Sequence, residues 1–573
     1  MALLALIGGA LPAVFAALVG VLVRHLPAVV STGFDSPAGH RVIDALIAIA
    51  CVLIALELVG GAQEVLATDL YRRFDGYLLG RVMSAALSRE DLHIFDDPDL
   101  AAQLDRAVRA ATYGPGEMIS GLSAQWSVRA EGLAAAVLVG YYSPIAAIVL
   151  TLVWLAVARA LQTSFYRANP FWTDPLRRAR YLQGIGLLPQ WAKELRIFGL
   201  VGWLVEQYSI QWRMVMDELW QARRVDRRSM AVLGGVVLVA HVLVALLLAR
   251  SANSGALDAA ALTVILQGLF GMVALSSLQG DTWIENGAVP IPDVLSLEKS
   301  VPVERPGGGD ATGMPARAIE FRGVGFHYPA RPALVLEGFN LRIDAGTSLA
   351  VVGLNGAGKT TLVKLLTGLC RPTAGSIAID GVDLAALDPV SWHRQLAVIF
   401  QDFVHYELAL RDNIAFGAVE QQWDEATLLE IADRAGAREL VQALPGGPGT
   451  PLSPRLEGGV DLSGGQWQRI AFARALMAVH GGARVLVMDE PTAHLDVRAE
   501  ADLYDRFLEL TRGLTTIVIS HRFSTVRRAD RIVVLEHGHI VEDGSHDELI
   551  AGDTEYGRLF RLQASNYVGD SDD

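Results

Sequence analysis

Cysteine is scarce in this sequence. Its 573 residues include two cysteines, Cys51 and Cys370, which lie in different halves of the chain. Two distant cysteines argue against a disulfide-rich scaffold and against a cysteine-based metal site. Cys51 stands in an apolar run, whereas Cys370 follows a glycine-rich motif and fits the reducing environment of the cytosol.

A basic excess is also missing. Lysine and arginine number 48 against 62 aspartates and glutamates, which gives a net charge of −14. Proteins that bind nucleic acid usually present a basic face, so we expect no nucleic-acid partner. Charged residues make up 19% of the chain and apolar residues 52%. The mean hydropathy of +0.34 is high for a soluble protein, and the length exceeds one ordinary domain.

Long apolar runs are abundant before residue 280. Each approaches the ~20 residues that a helix needs to cross a bilayer core. No basic stretch precedes the first run, so we interpret it as a retained span rather than a signal peptide. The sequence predicts six membrane-spanning helices, at residues 2–26, 42–62, 118–142, 144–161, 230–249 and 259–278.

The connections between these spans differ in charge. Two long connections hold the basic residues Arg72, Arg73, Arg81, Arg89, Arg106, Arg109, Arg177, Arg178, Arg180, Lys193, Arg196, Arg223, Arg224, Arg227 and Arg228. Short connections carry almost none. Because basic loops stay inside, both long connections are predicted to be cytoplasmic. They lack helix-breaking clusters over most of their length, so we expect them to extend the membrane helices.

A few polar side chains interrupt the apolar runs: Glu57, Arg129, Glu131, His241 and Gln267. Ionisable groups inside a span usually face the bundle interior or a water-filled cavity. They could line a substrate pathway, or they could pair with neighbouring helices or lie near the membrane interface. For Glu131 both interpretations remain open, whereas for Glu57 pairing is favoured.

The second half opens with a nucleotide-binding motif. Proline and glycine punctuate residues 281–317, which we interpret as a linker. An apolar run at residues 349–352 then leads into a GxxxxGK[ST] pattern, followed by a predicted helix. Glycines allow backbone N–H groups to surround a phosphate, lysine reaches the β- and γ-phosphates, and the hydroxyl after it ligates Mg²⁺. The phosphate loop consists of Gly353, Leu354, Asn355, Gly356, Ala357, Gly358, Lys359, Thr360 and Thr361.

Further polar residues follow apolar strands in a fixed order. Gln401 follows one strand, Asp489 and Glu490 end another, and His521 comes after a third. In a parallel α/β sheet that edge is where ligands bind. Between them lies the pentapeptide Leu462-Ser463-Gly464-Gly465-Gln466, which opens a predicted helix.

In combination with the phosphate loop, this pentapeptide resembles the signature of ABC transporter nucleotide-binding domains, and the resemblance covers residues 319–562. Six spans ahead of one such domain resemble an exporter-type half-transporter. The implied fold is a membrane α-helical bundle with long cytoplasmic extensions, followed by an α/β P-loop ATPase domain. The predicted domains are residues 1–280 (membrane), 281–317 (linker), 318–565 (nucleotide binding) and 566–573 (tail).

The resemblance also implies roles for single residues. Tyr328 would stack on adenine, although a lone tyrosine in the core is the alternative. Thr360, Gln401 and Asp489 would hold Mg²⁺. Glu490 would polarise the attacking water, and His521 would contact the γ-phosphate. Lys359 and Gln401 would complete the catalytic set. Ser463, Gly464, Gly465 and Gln466 would bind the ATP held by the opposite subunit.

Other assignments concern contacts between domains and subunits. Glu457 would contact a cytoplasmic loop, unless it belongs to an ordinary exposed acidic loop. Residues 91–105 and 193–208 fall where exporters have coupling helices. Asp496 matches the aspartate of the D-loop, but Ala493 stands where the family often has serine, which puts one hydroxyl contact across the dimer in doubt.

We therefore predict an ATP-driven exporter in the cell membrane, with ATP and Mg²⁺ as cofactors and the nucleotide-binding domain in the cytoplasm. Its substrate would be amphipathic, such as a modified peptide or secondary metabolite. A second half-transporter is the expected partner: a homodimer is favoured, and a heterodimer is the alternative. An importer of the same shape, for example for siderophores, and a membrane-anchored ATP-binding regulator remain alternative functions.

Overall fold

The structure is a computed structural model that describes residues 1–112, 116–165, 174–222, 227–288, 291–301, 307–331, 333–490, 509, 512–520, 526–558 and 560–561. The chain separates into two compact units. The first consists of Met1–Val82 and Arg106–Leu295, and the second of Met83–Asp105 and Ser296–Asp573. Each unit has its own hydrophobic core.

The first unit is built from helices. They are α1 (Ala2–Thr32), most of α2 (Pro37–Ala86), the end of α4 (Pro98–Thr112), α5 (Glu117–Tyr142), α6 (Pro144–Phe165), α7 (Asp174–Leu187), α8 (Ala192–Ile197), α9 (Val201–Ala222), α10 (Arg227–Asn253), α11 (Ala259–Met272), α12 (Gln279–Ala288) and the start of α13 (Ile291–Ser300). Buried apolar residues of α5, α6, α10 and α11 pack together in one hydrophobic core.

Five helical stretches among the described residues are long and apolar enough to cross a membrane. They are Ala2–Thr32, Pro37–Ala86, Pro144–Gln162, Arg228–Asn253 and Ala259–Ser300. The remaining predicted span, the third at residues 118–142, also forms a helix, α5, but Gln125, Arg129 and Glu131 make it more polar than the others. The prediction of six apolar spans therefore holds for helix position and overestimates the apolar character of the third.

Helix α2 extends far beyond one bilayer crossing. Its 50 residues correspond to about 75 Å at 1.5 Å per residue, whereas a bilayer core is about 30 Å thick. The second predicted span thus continues as a polar helix, as the absence of helix-breaking clusters indicated.

Close packing in the first unit depends on small residues. A Cβ atom on Gly9 would lie 2.4 Å from the Ser127 carbonyl oxygen, and one on Gly20 would lie 2.2 Å from Val264 Cγ2. Any side chain at these positions would push α1 away from α5 or α11. Such close approach of backbones is typical of helix packing in membranes, where dispersion contacts replace the hydrophobic effect.

The second unit contains two sheets. One is antiparallel, with the order β2-β1-β4-β5. The other has the order β10-β9-β3-β8-β7-β6, and its strands β9, β3, β8, β7 and β6 run parallel. The bounds are β1 Ala318–Phe326, β2 Leu336–Asp344, β3 Ser348–Val352, β4 Ala374–Ile379, β5 Val382–Asp383, β6 Leu396–Ile399, β7 Val485–Asp489, β8 Thr515–Ile519, β9 Arg531–Glu536 and β10 His539–Gly544.

Helices cover this parallel sheet. Strands β7 and β8 are buried along their whole length, which explains their continuous apolar sequences. After residue 295, the described helices of the second unit are the end of α13, α14 (Lys359–Leu366), α15 (Pro389–His393), α16 (Leu410–Ala415), α17 (Glu425–Arg434), α18 (Arg438–Ala443), α19 (Gly464–His480) and α20 (His546–Ala551).

A segment from the first half of the sequence also belongs to the second unit. Residues 83–105 include the short helix α3 (His93–Asp96), and the Leu92 N–H donates to the Leu369 carbonyl at 2.8 Å. Asp91 anchors the segment: Arg89 donates two hydrogen bonds to its carboxylate at 3.0 and 2.5 Å, and Arg371 lies 3.5 Å away.

The Asp91 carboxylate stays ionised at neutral pH because of its arginine partners. Burial by itself raises the pKa of Asp91, but hydrogen bonds and charge from Arg89 outweigh it and hold the pKa below its usual value. A lowered pKa means that the contact contributes stability above the unfolded-state pKa and loses it only as the pH falls through the lower folded-state value.

We expect Asp91→Asn to loosen this segment, because it leaves Arg89 and Arg371 facing an uncharged side chain. Amide exchange at Leu92 should accelerate about tenfold or more, as measured by hydrogen–deuterium exchange of the full chain. Asp99→Asn, an exposed carboxylate on α4, is the matched control. Unchanged exchange in Asp91→Asn would show that Asp91 does not anchor the segment.

Candidate functional site

The phosphate loop joins β3 to α14. Val352 ends the strand and Lys359 begins the helix, as the motif predicts. Gly356 and Gly358 have φ values of 84° and 105°, a conformation that disfavours residues with a Cβ. Leu354, Asn355 and Gly356 are exposed, whereas Ala357, Gly358 and Lys359 are buried. The loop therefore offers an open rim above a fixed base.

Lys359 lies at the centre of this base. Its Nζ donates to the carbonyl oxygens of Gly353 at 2.8 Å and Leu354 at 3.2 Å, and it is 3.8 Å from Glu490 Oε1. The residue is 8% exposed. A nearly buried ammonium needs such partners, because water cannot reach it to compensate its charge.

Asp489 ends the neighbouring strand β7 and is 1% exposed. Burial is the main reason that the pKa of Asp489 is raised; a hydrogen bond from Thr360 opposes this effect, and the charge of Glu490 adds to it. Its Oδ2 is buried and has no hydrogen-bond partner among the described residues. A carboxylate oxygen of this kind, beside the Thr360 hydroxyl, fits a hard divalent cation such as Mg²⁺.

Glu490 adopts an unusual backbone conformation immediately after β7. Its φ is 43°, and its N–H donates to the Ile519 carbonyl of β8 at 3.0 Å. Left-handed backbone at a residue other than glycine is uncommon and is often found at functional positions. The turn places the Glu490 carboxylate towards Lys359 instead of continuing the strand.

The carboxyl ends of β3, β7, β8 and β6 lie at one edge of the parallel sheet, as the sequence predicted. This edge brings Lys359, Thr360, Asp489 and Glu490 together. Gln401 follows β6 and is exposed. His521 follows β8 but, like Asp496, lies outside the described residues, so their predicted roles remain predictions.

Tyr328 lies against the helix of the phosphate loop. Its hydroxyl is 3.2 Å from Thr361 Oγ1, and Lys364 Nζ is 5.3 Å from the ring centroid. One edge of the ring also packs on Phe326. The ring is half-buried, so both the adenine contact and the structural role remain compatible with its position.

The signature segment begins helix α19. Ser463 caps it: the Ser463 hydroxyl accepts from the Gln466 N–H at 3.4 Å, and Gln466 Oε1 accepts from the Ser463 N–H at 2.8 Å. Ser463 is exposed and Gly464 and Gly465 are half-buried. This capped, accessible helix start can receive an anion from outside the domain.

Two aromatic residues near these motifs were not singled out as functional from the sequence. His405, four residues after Gln401, stacks on Trp467, the residue after the signature. Their ring centroids are 4.5 Å apart and their planes differ by 4°. The stack ties the chain after Gln401 to the start of α19. Glu457, in contrast, is exposed in a turn, and its predicted coupling role remains a prediction.

Comparison with known proteins identifies the second half. Residues 336–493 match the family described as ABC transporter. The chain is 40% identical over 273 residues to the ATP-dependent lipid A-core flippase of Syntrophus aciditrophicus, which covers 48% of this chain and 42% of the relative. It is 38% identical over 273 residues to the α-hemolysin translocation ATP-binding protein HlyB of Escherichia coli O157:H7, which covers 48% and 37%. The matches span less than two thirds of these relatives.

A solved structure matches almost the whole chain. A bacterial Atm1-family ABC exporter with ATP bound superposes with a TM-score of 0.70 at 23% identity, covering 98% of this chain and 97% of that one. The chain shares this fold, and its first half contains helices that are long and apolar enough to cross a membrane. The chain thus carries an ABC transporter domain that includes residues 336–493, after a region of apolar helices, and its fold is that of this ABC exporter.

Proposed function

We propose that the chain couples ATP hydrolysis to export across the membrane and works as a dimer. The observation that carries this proposal is the convergence of Lys359, Thr360, Asp489 and Glu490 at one sheet edge. This set contains a phosphate-binding cation, metal-ligand oxygens and a carboxylate base. A regulator that only binds ATP would not need Glu490 in a constrained backbone conformation beside Lys359.

In the proposed mechanism the loop holds the phosphates, Lys359 neutralises their charge and Glu490 orients and polarises the attacking water. Thr360 and Asp489 would hold Mg²⁺, with Gln401 as a further ligand, and the ion would supply charge neutralisation on the phosphate oxygens. Tyr328 would contact adenine and His521 the γ-phosphate. Phosphoryl transfer depends mainly on such positioning and charge.

The separation of the two ATP-binding motifs supports the proposed dimer. The phosphate loop follows β3, whereas α19 packs on β6 and its neighbours in a different core cluster. Strands β3 and β6 are three positions apart, about 14 Å at the usual spacing. This distance supports the proposal that Ser463 and Gly464 bind ATP held by a second copy. Asp496 would act at the same interface.

The direction of transport is inferred from the relatives. One is named a lipid A-core flippase and another a hemolysin translocation protein, and the protein of similar structure is named an exporter. The cargoes in these names are a lipid and a protein, and on this basis we propose that the substrate of this chain is amphipathic. Accumulation of substrate inside inverted vesicles, where the ATPase domain faces outwards, is expected for export and would be absent for import.

Replacement of Lys359 tests the phosphate site. Lys359→Ala should abolish ATP hydrolysis and weaken ATP binding at least tenfold, because the phosphates lose their buried cation. Steady-state ATPase activity and ATP binding of the purified protein measure this. Lys299→Ala, which removes an exposed lysine of α13, is the control for folding. Full turnover in Lys359→Ala contradicts the assignment.

Replacement of Glu490 separates binding from hydrolysis. Glu490→Gln should bind ATP normally but lose at least about 99% of turnover, because an amide is a poor base. The variant should retain labelled ATP through gel filtration as a closed dimer. Glu420→Gln, at an exposed ion pair with Arg394, is a control that should hydrolyse ATP normally. Normal hydrolysis by Glu490→Gln would exclude Glu490 as the base.

Mixed dimers test the shared site. Chains with Lys359→Ala and chains with Ser463→Arg, both also carrying Glu490→Gln, are joined under two affinity tags. If sites form between copies, each mixed dimer has one doubly damaged site and one intact site, so it should retain about half the ATP of Glu490→Gln alone. Dimers of either single chain should retain little. If each copy formed its own site, no mixed dimer would have an intact one, and retention would stay low.

A further inference from the structure

A cavity of about 350 Å³ lies in the first unit between α1, α5 and α11. Its volume falls within the range of small-molecule sites, about 300–1,000 Å³. Most of the wall is apolar and includes Phe15, Leu138 and Phe270. Two polar side chains, Glu131 and Gln267, also line it. An apolar pocket with a few polar groups is the usual design of a ligand site.

Both polar groups lack partners within the described part of the chain. Gln267 Oε1 is buried and accepts no hydrogen bond there. Glu131 makes neither a hydrogen bond nor an ion pair with any described residue. An unpaired carboxylate and an unpaired amide oxygen in apolar surroundings each cost free energy, so such groups usually mark a functional position.

The nearest basic residue in sequence does not compensate Glu131. Arg129 donates to the carbonyl oxygen of Leu275, just beyond the end of α11, and lies 3.6 Å from Asp281. Asp281 also accepts from Gln162 at 2.6 Å. The guanidinium of Arg129 therefore interacts with residues at and after the end of α11. Because it is two residues from Glu131 on α5, its side chain leaves on a different face.

We propose that this cavity recognises the transported substrate, and that the substrate is an amphipathic molecule with a primary ammonium or guanidinium group. The inference rests on the proposed transport function. The cationic group pairs with the Glu131 carboxylate and donates an N–H to Gln267 Oε1. The apolar part packs on Phe15, Leu138 and Phe270. A carboxylate beside an unpaired amide oxygen favours a cation with N–H groups over an anion or a quaternary ammonium.

A matched pair of probes tests the proposal on the full chain in phosphatidylcholine nanodiscs without ATP. Dansylcadaverine carries a primary ammonium, and its N-acetyl derivative is the neutral counterpart. Wild-type protein should bind the cation at least about tenfold more tightly than the neutral probe, after subtraction of empty nanodiscs, because the ion pair forms away from water. Fluorescence titration measures both affinities.

Substitutions then locate the site. Glu131→Gln should weaken binding of the cation about tenfold and leave the neutral probe unaffected. Glu131→Asp keeps the charge and should retain most of the preference, and Gln267→Leu should reduce it. Glu57→Gln, at an exposed carboxylate outside the cavity, should bind as wild type does. These variants keep the test valid if Glu131→Gln folds poorly.

Two results would overturn the inference: equal binding of both probes to wild type, or unchanged cation binding in Glu131→Gln and Gln267→Leu. Because no ATP is present, either result leaves the ATP retention of Glu490→Gln, and hence the proposed function, untouched. Addition of phosphatidylethanolamine identifies the source of the cation. Displacement of the probe indicates an aminolipid of the bilayer, and unaltered binding indicates an amphipath that enters from water; both support the cationic site.

Discussion

The attraction between Lys359 and the carboxylates at the end of β7 governs the ATP-binding half. Asp489 and Glu490 are consecutive and nearly buried, and two such charges repel each other. At 3.8 Å, Lys359 offers Glu490 a gross attraction of about 4 kcal/mol at an effective dielectric constant near 20. In the proposed mechanism a phosphate competes for the same amine. Glu490 then loses part of its neutralising charge and becomes a stronger base when water must be activated.

In the membrane half the charge that needs compensation is positive: it is the guanidinium of Arg129. Helix α11 ends at Met272 and continues as a tighter turn to Ser276, which leaves backbone carbonyl groups without helical partners. Arg129 donates to one of these carbonyls, at Leu275. An arginine within an apolar helix is costly, and this contact together with Asp281 compensates it. Arg129 is the only basic residue of α5, and these contacts direct it away from Glu131 on the same helix.

The phosphate loop, the acidic strand end and the helix start at Ser463 could be predicted from the sequence, because each is a local motif attached to an apolar strand or helix. Contacts between residues that are distant in the sequence could not be predicted in this way. Arg129 and Leu275 are 146 positions apart, and His405 meets Trp467 only because β6 and α19 pack together. The packing of residues 83–105 in the second unit has the same origin. Hydropathy averaged over residues 118–142 predicted an apolar span there, although the sequence shows the polar residues Arg129 and Glu131 within it.

The cavity and the close packing around it have one cause. A Cβ on Gly268 would lie 2.5 Å from Val139 Cγ2, and one on Gly271 would lie 2.9 Å from Ala135 Cβ. Helix α11 therefore approaches α5 with bare backbone at two positions that also line the cavity. The open volume lies beside this contact, towards α1. On the side of α5 and α11 the wall of the cavity is therefore held by the close approach of the two helices, whereas the side chains of Phe15, Leu138 and Phe270 bound the remainder.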